Sequence, residues 1–276
     1  MKPLSGLDAL FLHLETPETP MHVGALHLLA PPPGEARAYV DAVRRHLAGR
    51  LHLSPVFTRR LAPMPFAVAN PVWVRVDAVD LRAHVRHLRL RAPGSFAQLE
   101  ATVARLHARL LERDRPCWRL YVIEGLASGE LALYAKVHHA TLDGAASVAF
   151  AHALLDTTPA PRAVPASGHA AQGEHPGPGR LLGTAVRTTA VQALRALRQL
   201  PELARVMTAL VARPGAAPAR AAPGGSFRFA PRTPLNVSIG RARAVATLSI
   251  PLPAVVRRRP LFIHQVAIFR NGQSSL

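Results

Sequence analysis

Residues 136–144 read KVHHATLDG and place two adjacent histidines between a strand-like run and a helix-like run. The preceding run, 130–137, is rich in apolar and aromatic residues and follows a Ser-Gly turn, so it predicts a strand. The following run, 143–155, has helical composition with an acidic residue in its first turn, which suits the positive end of a helix dipole. His138 and His139 are therefore predicted to lie on a loop between a strand and a helix.

This loop suits a general base. A loop can hold an imidazole while one ring nitrogen stays open to a cleft, as a base working near neutral pH requires. Asp143 follows His139 by four residues and has two interpretations: it orients the imidazole, or it turns to an arginine and fixes the shape of the loop. Gly144 allows a backbone conformation or a close approach that a side chain would block.

The residues of this loop resemble a known family. Residues 138–144 match the His-His-x-x-x-Asp-Gly motif of acyltransferases related to chloramphenicol acetyltransferase. Within that superfamily the chain resembles the bacterial wax ester synthase/acyl-CoA:diacylglycerol acyltransferases. Peptide-synthetase condensation domains share the motif, so the narrower match depends on four flanking stretches. These are PLSGLDALF (3–11), PMHVG (20–24), RPCWRLYVIEG (115–125) and TPLNVSIG (233–240).

The resemblance implies an α/β fold of the chloramphenicol acetyltransferase type, a mixed sheet with flanking helices, as an N-terminal half plus an incomplete second half. The predicted parts are an acyltransferase domain (1–158), a linker with an arginine-striped helix (159–225), the start of a second domain (226–255) and an atypical tail (256–276). Family members are longer, and the tail changes composition abruptly. A frameshift or truncation is therefore expected there.

The resemblance also implies a reaction, the transfer of a fatty acyl group from acyl-CoA to diacylglycerol or a long-chain alcohol. In this triacylglycerol or wax ester synthesis, His139 would take the hydroxyl proton and return a proton to the departing CoA sulfur. His138 would support the loop, and Asp143 would fix its architecture. No covalent acyl-enzyme is required, and no Gly-x-Ser-x-Gly elbow supplies a serine nucleophile. Acyl-CoA is a co-substrate, and neither a cofactor nor a metal is predicted.

Composition limits the other classes of protein. Of 276 residues, 49% are hydrophobic, enough for one large or two modest cores. The single cysteine, Cys117, excludes an internal disulfide framework and a four-cysteine zinc site, and its position beside Trp118 favours a buried packing role. No secretory signal and no run of about 20 apolar residues is found. The protein is expected in the cytoplasm, either free or attached peripherally to a membrane or a lipid droplet.

The net charge of +18 belongs mainly to the second part of the chain, because residues 159–276 carry 16 basic and 2 acidic side chains. A coding bias towards arginine, an anionic lipid surface and a nucleic acid each explain such an excess. No nucleic-acid-binding signature accompanies the charge, so a nucleic acid is the weakest of the three explanations.

Residues 180–213 predict a helical segment that breaks or restarts at Pro201. Its arginines fall within an arc of roughly 80° at 100° per residue. These are Arg180, Arg187, Arg195, Arg198 and Arg205. The stripe is either a solvated ridge on a packed helix or the face of an interfacial helix on anionic lipid. The alternative function is therefore a non-catalytic fragment that binds a lipid surface or a partner.

Local patterns predict the remaining elements. Strands are expected at 21–30, 72–76 and 115–125, and the last pairs as a hairpin with 130–138. Helices are expected at 35–50 and from Ser95, where Gln98 completes a capping box. Residues 81–90 are interpreted as a short helix and turn, and 157–179 and 214–225 as flexible linkers. His13, His22 and His27 are interpreted as neutral or surface side chains rather than metal ligands.

Overall fold

The computed structural model describes residues 1–31, 36–142, 144–156, 158, 162–165, 172–211 and 239–247. They belong to two compact units. The described residues of the first fall within 1–63, 71–175 and 239–247, and those of the second within 64–70 and 176–211. The histidine loop lies in the first unit and the arginine helix in the second.

The described strands are β1 (Lys2–Pro3), β2 (His22–Leu29), β3 (Arg59–Ala62), β4 (Val72–Arg75), β5 (Val85–Arg89), β6 (Trp118–Glu124) and β7 (Leu131–His138). The described α-helices are α1 (Gly6–Leu14), α2 (Ala36–Ala48), α3 (Leu81–His84), α4 (Phe96–Ala108), α5 (Gly144–Leu154) and α6 (Pro178–Val211). Short 3-10 turns occupy Leu51–Leu53, Pro55–Phe57, Pro65–Ala67 and His139–Thr141.

The larger sheet has the strand order β2-β7-β6-β5. β7 pairs antiparallel with β2 and β6, as the hairpin prediction required, and β5 joins β6 in parallel. All eight residues of β7 are buried, because apolar side chains from helices cover both faces of the sheet. His22 lies opposite His138 in the register, so β2 begins where β7 delivers the histidine turn.

Two apolar clusters cover the faces of this sheet. The first joins sheet residues such as Trp118 and Val137 to Leu47 of α2 and Phe150 of α5. The second packs the stripe of α4 that begins at Leu99 against the opposite face. Removing this apolar area from water contributes roughly 1.5–3 kcal/mol for each large side chain fully buried.

The smaller sheet has the order β1-β4-β3 and supports the other side of the histidine turn. Trp73 at its centre lies opposite both Lys2 and Leu61. A third apolar cluster joins Trp73 to Leu12 of α1, to Cys117 and to Ala140 of the turn. This cluster fixes α1 and the small sheet against the turn.

Helices α1 and α4 each begin with a capping box, in which two backbone N–H groups of the first turn are satisfied by side chains. In α4 the pair is Ser95 and Gln98, which confirms the prediction. In α1 the pair is Ser5 and Asp8. The cap of α1 matters for the site, because this helix contacts the histidine turn.

Residues 81–90 differ from the prediction. The structure has a single helical turn, α3, followed by β5, so the interpretation of this stretch as helix and turn is wrong beyond His84. Three of the five residues of β5 are arginine or histidine, so its local composition does not predict a strand. Its Val85 is fully buried and its backbone pairs with β6, so tertiary pairing decides the conformation.

The linker predicted between α5 and α6 is anchored where the structure describes it. The backbone N–H of Glu174 donates to the carbonyl of Arg75 at 2.8 Å, and the N–H of Arg75 donates to Oε2 of Glu174 at 3.1 Å. The N–H of Gly173 also donates to Oδ1 of Asp77 at 3.1 Å. A flexible linker is therefore the wrong description for this part, because hydrogen bonds to the end of β4 hold it.

α6 is one helix of 34 residues that passes through Pro201, so the predicted break is wrong. A proline removes one intrahelical hydrogen bond, and here the turns on either side continue the helix. The side chains of Arg180, Arg187, Arg198 and Arg205 are exposed, whereas that of Arg195 lies outside the described residues. No described helix combines the length and the apolar character needed to cross a bilayer.

Of the predicted start of a second domain, 226–255, the structure describes only residues 239–247. There Nε of Arg241 lies 2.7 Å from Oε1 of Glu18, and the N–H of Thr247 donates to Oε1 of Glu100 at 2.7 Å. The predicted tail, 256–276, lies outside the described residues. The proposed domain limits therefore stay predictions.

Candidate active site

The two histidines lie where the strand ends and the helix begins, as predicted. His138 is the last residue of β7, and His139 opens a 3-10 turn that leads to α5. The N–H of His138 donates to the carbonyl of Cys117 at 2.9 Å, and the N–H of His139 donates to that of Met21 at 2.8 Å. Neighbouring segments thus hold the backbone of both residues.

The ring of His139 is partly exposed and rests on α1. It stacks on Phe11 with ring centroids 3.9 Å apart and an angle of 24° between the planes. Among the described residues, Nδ1 of His139 is buried and meets no hydrogen-bond partner. An unpaired buried nitrogen is uncommon and often marks a functional group. The geometry therefore offers an imidazole that is oriented by stacking rather than by a hydrogen bond.

His138 is fully buried and holds the turn from inside. Its Nδ1 accepts a hydrogen bond of 3.0 Å from the N–H of Ala140, and its carbonyl accepts one of 2.7 Å from the hydroxyl of Thr141. Because Nδ1 accepts, the proton of a neutral ring lies on Nε2. The side chain of His138 therefore shapes the turn that presents His139.

A buried carboxylate, Glu15, lies behind the turn. Its Oε1 is 3.3 Å from Nε2 of His138 and 3.1 Å from Nε2 of His22, and its Oε2 is 2.9 Å from Nη2 of Arg113. The Glu15 side chain is only 1% exposed. His22 is buried too, so of the two predicted alternatives, a neutral or a surface side chain, the surface one is wrong.

Burial and neighbouring charges oppose each other at this carboxylate. Burial raises the pKa of Glu15, but the close contacts with His138, His22 and Arg113 lower it by more, so the net pKa lies well below its ordinary value. Burial lowers the pKa of His22, which Glu15 only partly offsets. Near neutral pH the cluster therefore holds a charged carboxylate beside a neutral His22.

The polar interior continues towards α4. Nδ1 of His22 lies 3.4 Å from the carbonyl of His107, whose Nδ1 lies 2.6 Å from the hydroxyl of Tyr134. Nζ of Lys136 donates to the carbonyl of Leu106 at 2.8 Å and to that of Arg109. Burial lowers the pKa of His107 to about 3 and that of Lys136 to about 7.

The remaining predicted site residues are placed as follows. Asp143 lies outside the described residues, so both interpretations of its role stay open. Gly144 begins α5. Cys117 is fully buried and burial raises the pKa of its thiol to about 12, which agrees with packing rather than with a nucleophile. No group of three or more His, Cys, Asp or Glu suited to a metal occurs among the described residues.

Sequence patterns missed the Glu15 cluster. Glu15 follows α1 in a stretch rich in threonine and proline, where a carboxylate is normally solvated. Its partners His22, Arg113 and His138 come from separate elements, and only their assembly shows that the carboxylate is buried. The sequence held one weak indication of this cluster: two titratable residues, Glu15 and His22, flank the same short loop.

Comparison with known proteins identifies the fold and the family. The model of the wax ester synthase/diacylglycerol acyltransferase catalytic domain matches residues 4–259. The solved structure of a wax ester synthase/diacylglycerol acyltransferase from Marinobacter aquaeolei VT8 is similar, with a TM-score of 0.50 and 36% identity over 60% of this chain and 39% of that chain. The predicted mixed α/β fold with flanking helices is confirmed.

Two relatives in Mycobacterium tuberculosis (strain ATCC 25618 / H37Rv) are named diacylglycerol O-acyltransferases. One is 36% identical over 257 residues, covering 91% of this chain and 54% of its own length. The other is 35% identical over 254 residues, covering 91% of this chain and 49% of its own length. The chain thus spans about half the length of these relatives.

Proposed function

This chain belongs to the wax ester synthase/diacylglycerol acyltransferase family, and from that membership we propose that it acts as an O-acyltransferase. The proposed donor is a fatty acyl-CoA, and the proposed acceptor is the hydroxyl group of diacylglycerol or a long-chain alcohol. The observation that carries the proposal is the partly exposed ring of His139, stacked on Phe11 with an unpaired Nδ1.

In the proposed reaction, a ring nitrogen of His139 takes the proton of the acceptor hydroxyl as its oxygen attacks the thioester carbonyl. The tetrahedral intermediate collapses with cleavage of the C–S bond. The imidazolium then gives its proton to the departing sulfur, and the products are an ester and free CoA. His138 and Glu15 keep the turn in shape and take no part in the transfer of the proton.

The experiment compares transfer of a radiolabelled acyl group from acyl-CoA to hexadecanol and to diacylglycerol. We expect His139→Ala to lose about 10²- to 10⁴-fold in rate, as for loss of a general base. His52→Ala, which changes an exposed histidine outside the site, is the matched control and should keep the rate. Equal rates for His139→Ala and the unchanged chain, or no transfer by the unchanged chain, would overturn the proposal.

α6 favours a second candidate, attachment to a lipid surface. Besides its exposed arginines, the helix exposes the large apolar side chains of Leu194, Leu197 and Leu200, by 53%, 61% and 53%. Basic and apolar side chains exposed on one helix are typical of helices that lie in the headgroup region of anionic membranes. Such attachment would bring the chain to an acceptor that is itself a lipid. Attachment of α6 to the surface of a membrane or a lipid droplet is compatible with the predicted cytoplasmic location.

Liposome flotation tests this attachment. Vesicles with and without anionic phosphatidylglycerol are compared for the unchanged chain and for a variant with Arg180, Arg187, Arg198 and Arg205 all changed to glutamine. We expect binding to the anionic vesicles only, and a loss of about tenfold or more in the variant, since each basic residue near the surface contributes about 1 kcal/mol. Unchanged binding of the variant would contradict the role of the arginines.

A further inference from the structure

A small cleft of about 100 Å³ opens beside the histidine turn. Trp73 of the small sheet and Val56 form part of its lining, and Ala140 and Thr141 of the turn form another part. Ala146, in the first turn of α5, closes it on that side. The cleft therefore adjoins the segment that presents His139, on the side of the small sheet.

The cleft and the His139 ring share one helix. Asp8 of α1 lines the cleft, and Phe11, three residues further along, stacks on His139. Residues three apart lie on the same face of a helix. The cleft is thus lined by α1, the helix that carries Phe11, and by Ala140 and Thr141, which directly follow His139.

Two cationic side chains line this cleft, Lys2 of β1 and Arg59 of β3. Lys2 pairs with Trp73, and Trp73 pairs with Leu61, two residues from Arg59. Paired residues and residues two apart on a strand share one face of a sheet, so both cations and the indole lie on the side of the cleft. Neither cation forms an ion pair with another described residue.

Two carboxylates, Asp8 and Glu174, lie near these cations. Oδ2 of Asp8 accepts a 3.4 Å hydrogen bond from the N–H of Ser5 in the helix cap. Glu174, which the charge of Arg59 also influences, is bound by the amino group of Met1 and by the N–H of Arg75. The lining therefore carries two cations, Lys2 and Arg59, and one carboxylate, Asp8, which leaves a formal charge of +1.

We propose that Lys2 and Arg59 bind the diphosphate of a CoA thioester at the rim of this cleft. The proposal rests on the acyl-CoA dependence proposed above and names the part of the protein that would recognise the donor. In this arrangement the pantetheine arm runs along the cleft past Thr141 towards His139. Arginine and lysine are the side chains that most often bind phosphate groups.

The kinetic test uses two donors with the same acyl group. One is the acyl-CoA, and the other is the acyl thioester of N-acetylcysteamine, which lacks phosphate and nucleotide. For the double variant Lys2→Gln/Arg59→Gln, we expect the KM for acyl-CoA to rise about tenfold or more, with kcat unchanged. The kcat/KM for the N-acetylcysteamine thioester should not change. Arg60→Gln, on the opposite face of β3, is the matched control and should leave both donors unaffected.

A binding measurement separates this proposal from the proposed reaction. Equilibrium binding of fluorescently labelled CoA is compared for the unchanged chain, the double variant and Arg60→Gln, after thermal melting has shown that all three fold. Weaker binding in the double variant alone supports the site even if no acyl transfer occurs. If transfer occurs and the KM for acyl-CoA stays the same in the double variant, or if both donors are affected equally, the phosphate site is overturned.

Discussion

His138 and His22 both contact the same oxygen atom of Glu15. Their Nε2 atoms lie 3.3 and 3.1 Å from its Oε1. The two histidines also lie opposite each other in the register of β2 and β7. Through Glu15, the loop that follows α1 is therefore joined to the end of the strand that carries the site. Arg113 binds the second oxygen of the same carboxylate and neutralises its charge.

Glu15→Gln should lower the stability of the chain. The amide retains the size of the side chain but loses the charge that accepts a hydrogen bond from Arg113 and lies close to His138 and His22. Hydrogen bonds to charged groups contribute about 1.5–3 kcal/mol each, and partial compensation by the amide should leave a net loss of about 2 kcal/mol in the free energy of unfolding. Urea unfolding at pH 7 measures it. A loss below the experimental error would contradict a structural role for the carboxylate.

The loss of unfolding free energy caused by Glu15→Gln should depend on pH. The pKa of Glu15 is lower in the folded chain than its ordinary value of 4.5 in the unfolded chain. Its contribution is thus present above pH 4.5 and is lost as the pH falls below that value, because the unfolded chain then binds the proton more readily. The difference in unfolding free energy between Glu15→Gln and the unchanged chain should shrink between pH 7 and pH 3.5. An equal difference at both pH values would contradict the lowered pKa.

Gly24→Ala should destabilise the larger sheet. A Cβ at this position would lie 2.7 Å from the hydroxyl oxygen of Tyr134, whose side chain is buried and hydrogen-bonded to His107. Tyr134 cannot move without losing that bond, so we expect a loss of about 1–3 kcal/mol in urea unfolding. Gly183→Ala on α6, where a Cβ meets nothing within 4 Å, is the control and should be neutral or stabilising.

The sequence predicted the features that depend on neighbouring residues. The histidine turn, the hairpin of β6 and β7 and the Ser95 cap each come from one short stretch, and the structure has all three. It did not predict β5, which exists because β6 pairs with it, nor the burial of Glu15. Both depend on contacts between segments that are distant in the sequence, about which local composition carries no information.

At Pro201 and at residues 172–175, local patterns predicted irregular structure where the chain is ordered by other contacts. A proline and a Pro/Gly-rich stretch predicted a break and a flexible linker by their local preferences. In the structure α6 continues through Pro201, and hydrogen bonds to Arg75 and Asp77 at the end of β4 hold the linker segment. Local propensity is a weak guide wherever a neighbouring element supplies hydrogen bonds.

Lys136→Met should loosen the end of α4. The variant keeps the length of the buried side chain but leaves the carbonyls of Leu106 and Arg109 without their donor. Buried unpaired acceptors cost about 1–3 kcal/mol, and we expect a loss of that size together with faster hydrogen exchange in the last turn of α4. Arg105→Met, which changes an exposed residue of the same helix, is the control. Unchanged exchange in Lys136→Met would contradict the proposed anchoring.

Phe11→Leu tests whether stacking orients His139. Leucine keeps an apolar side chain on α1 but removes the flat ring that lies 3.9 Å from the imidazole. A less oriented base should lower kcat for acyl transfer by about tenfold, while the KM for acyl-CoA changes by less than about twofold. Leu10→Met, at an exposed position of the same helix, should keep both constants. If Phe11→Leu retains full kcat and the same melting temperature, the aromatic ring does not position the base.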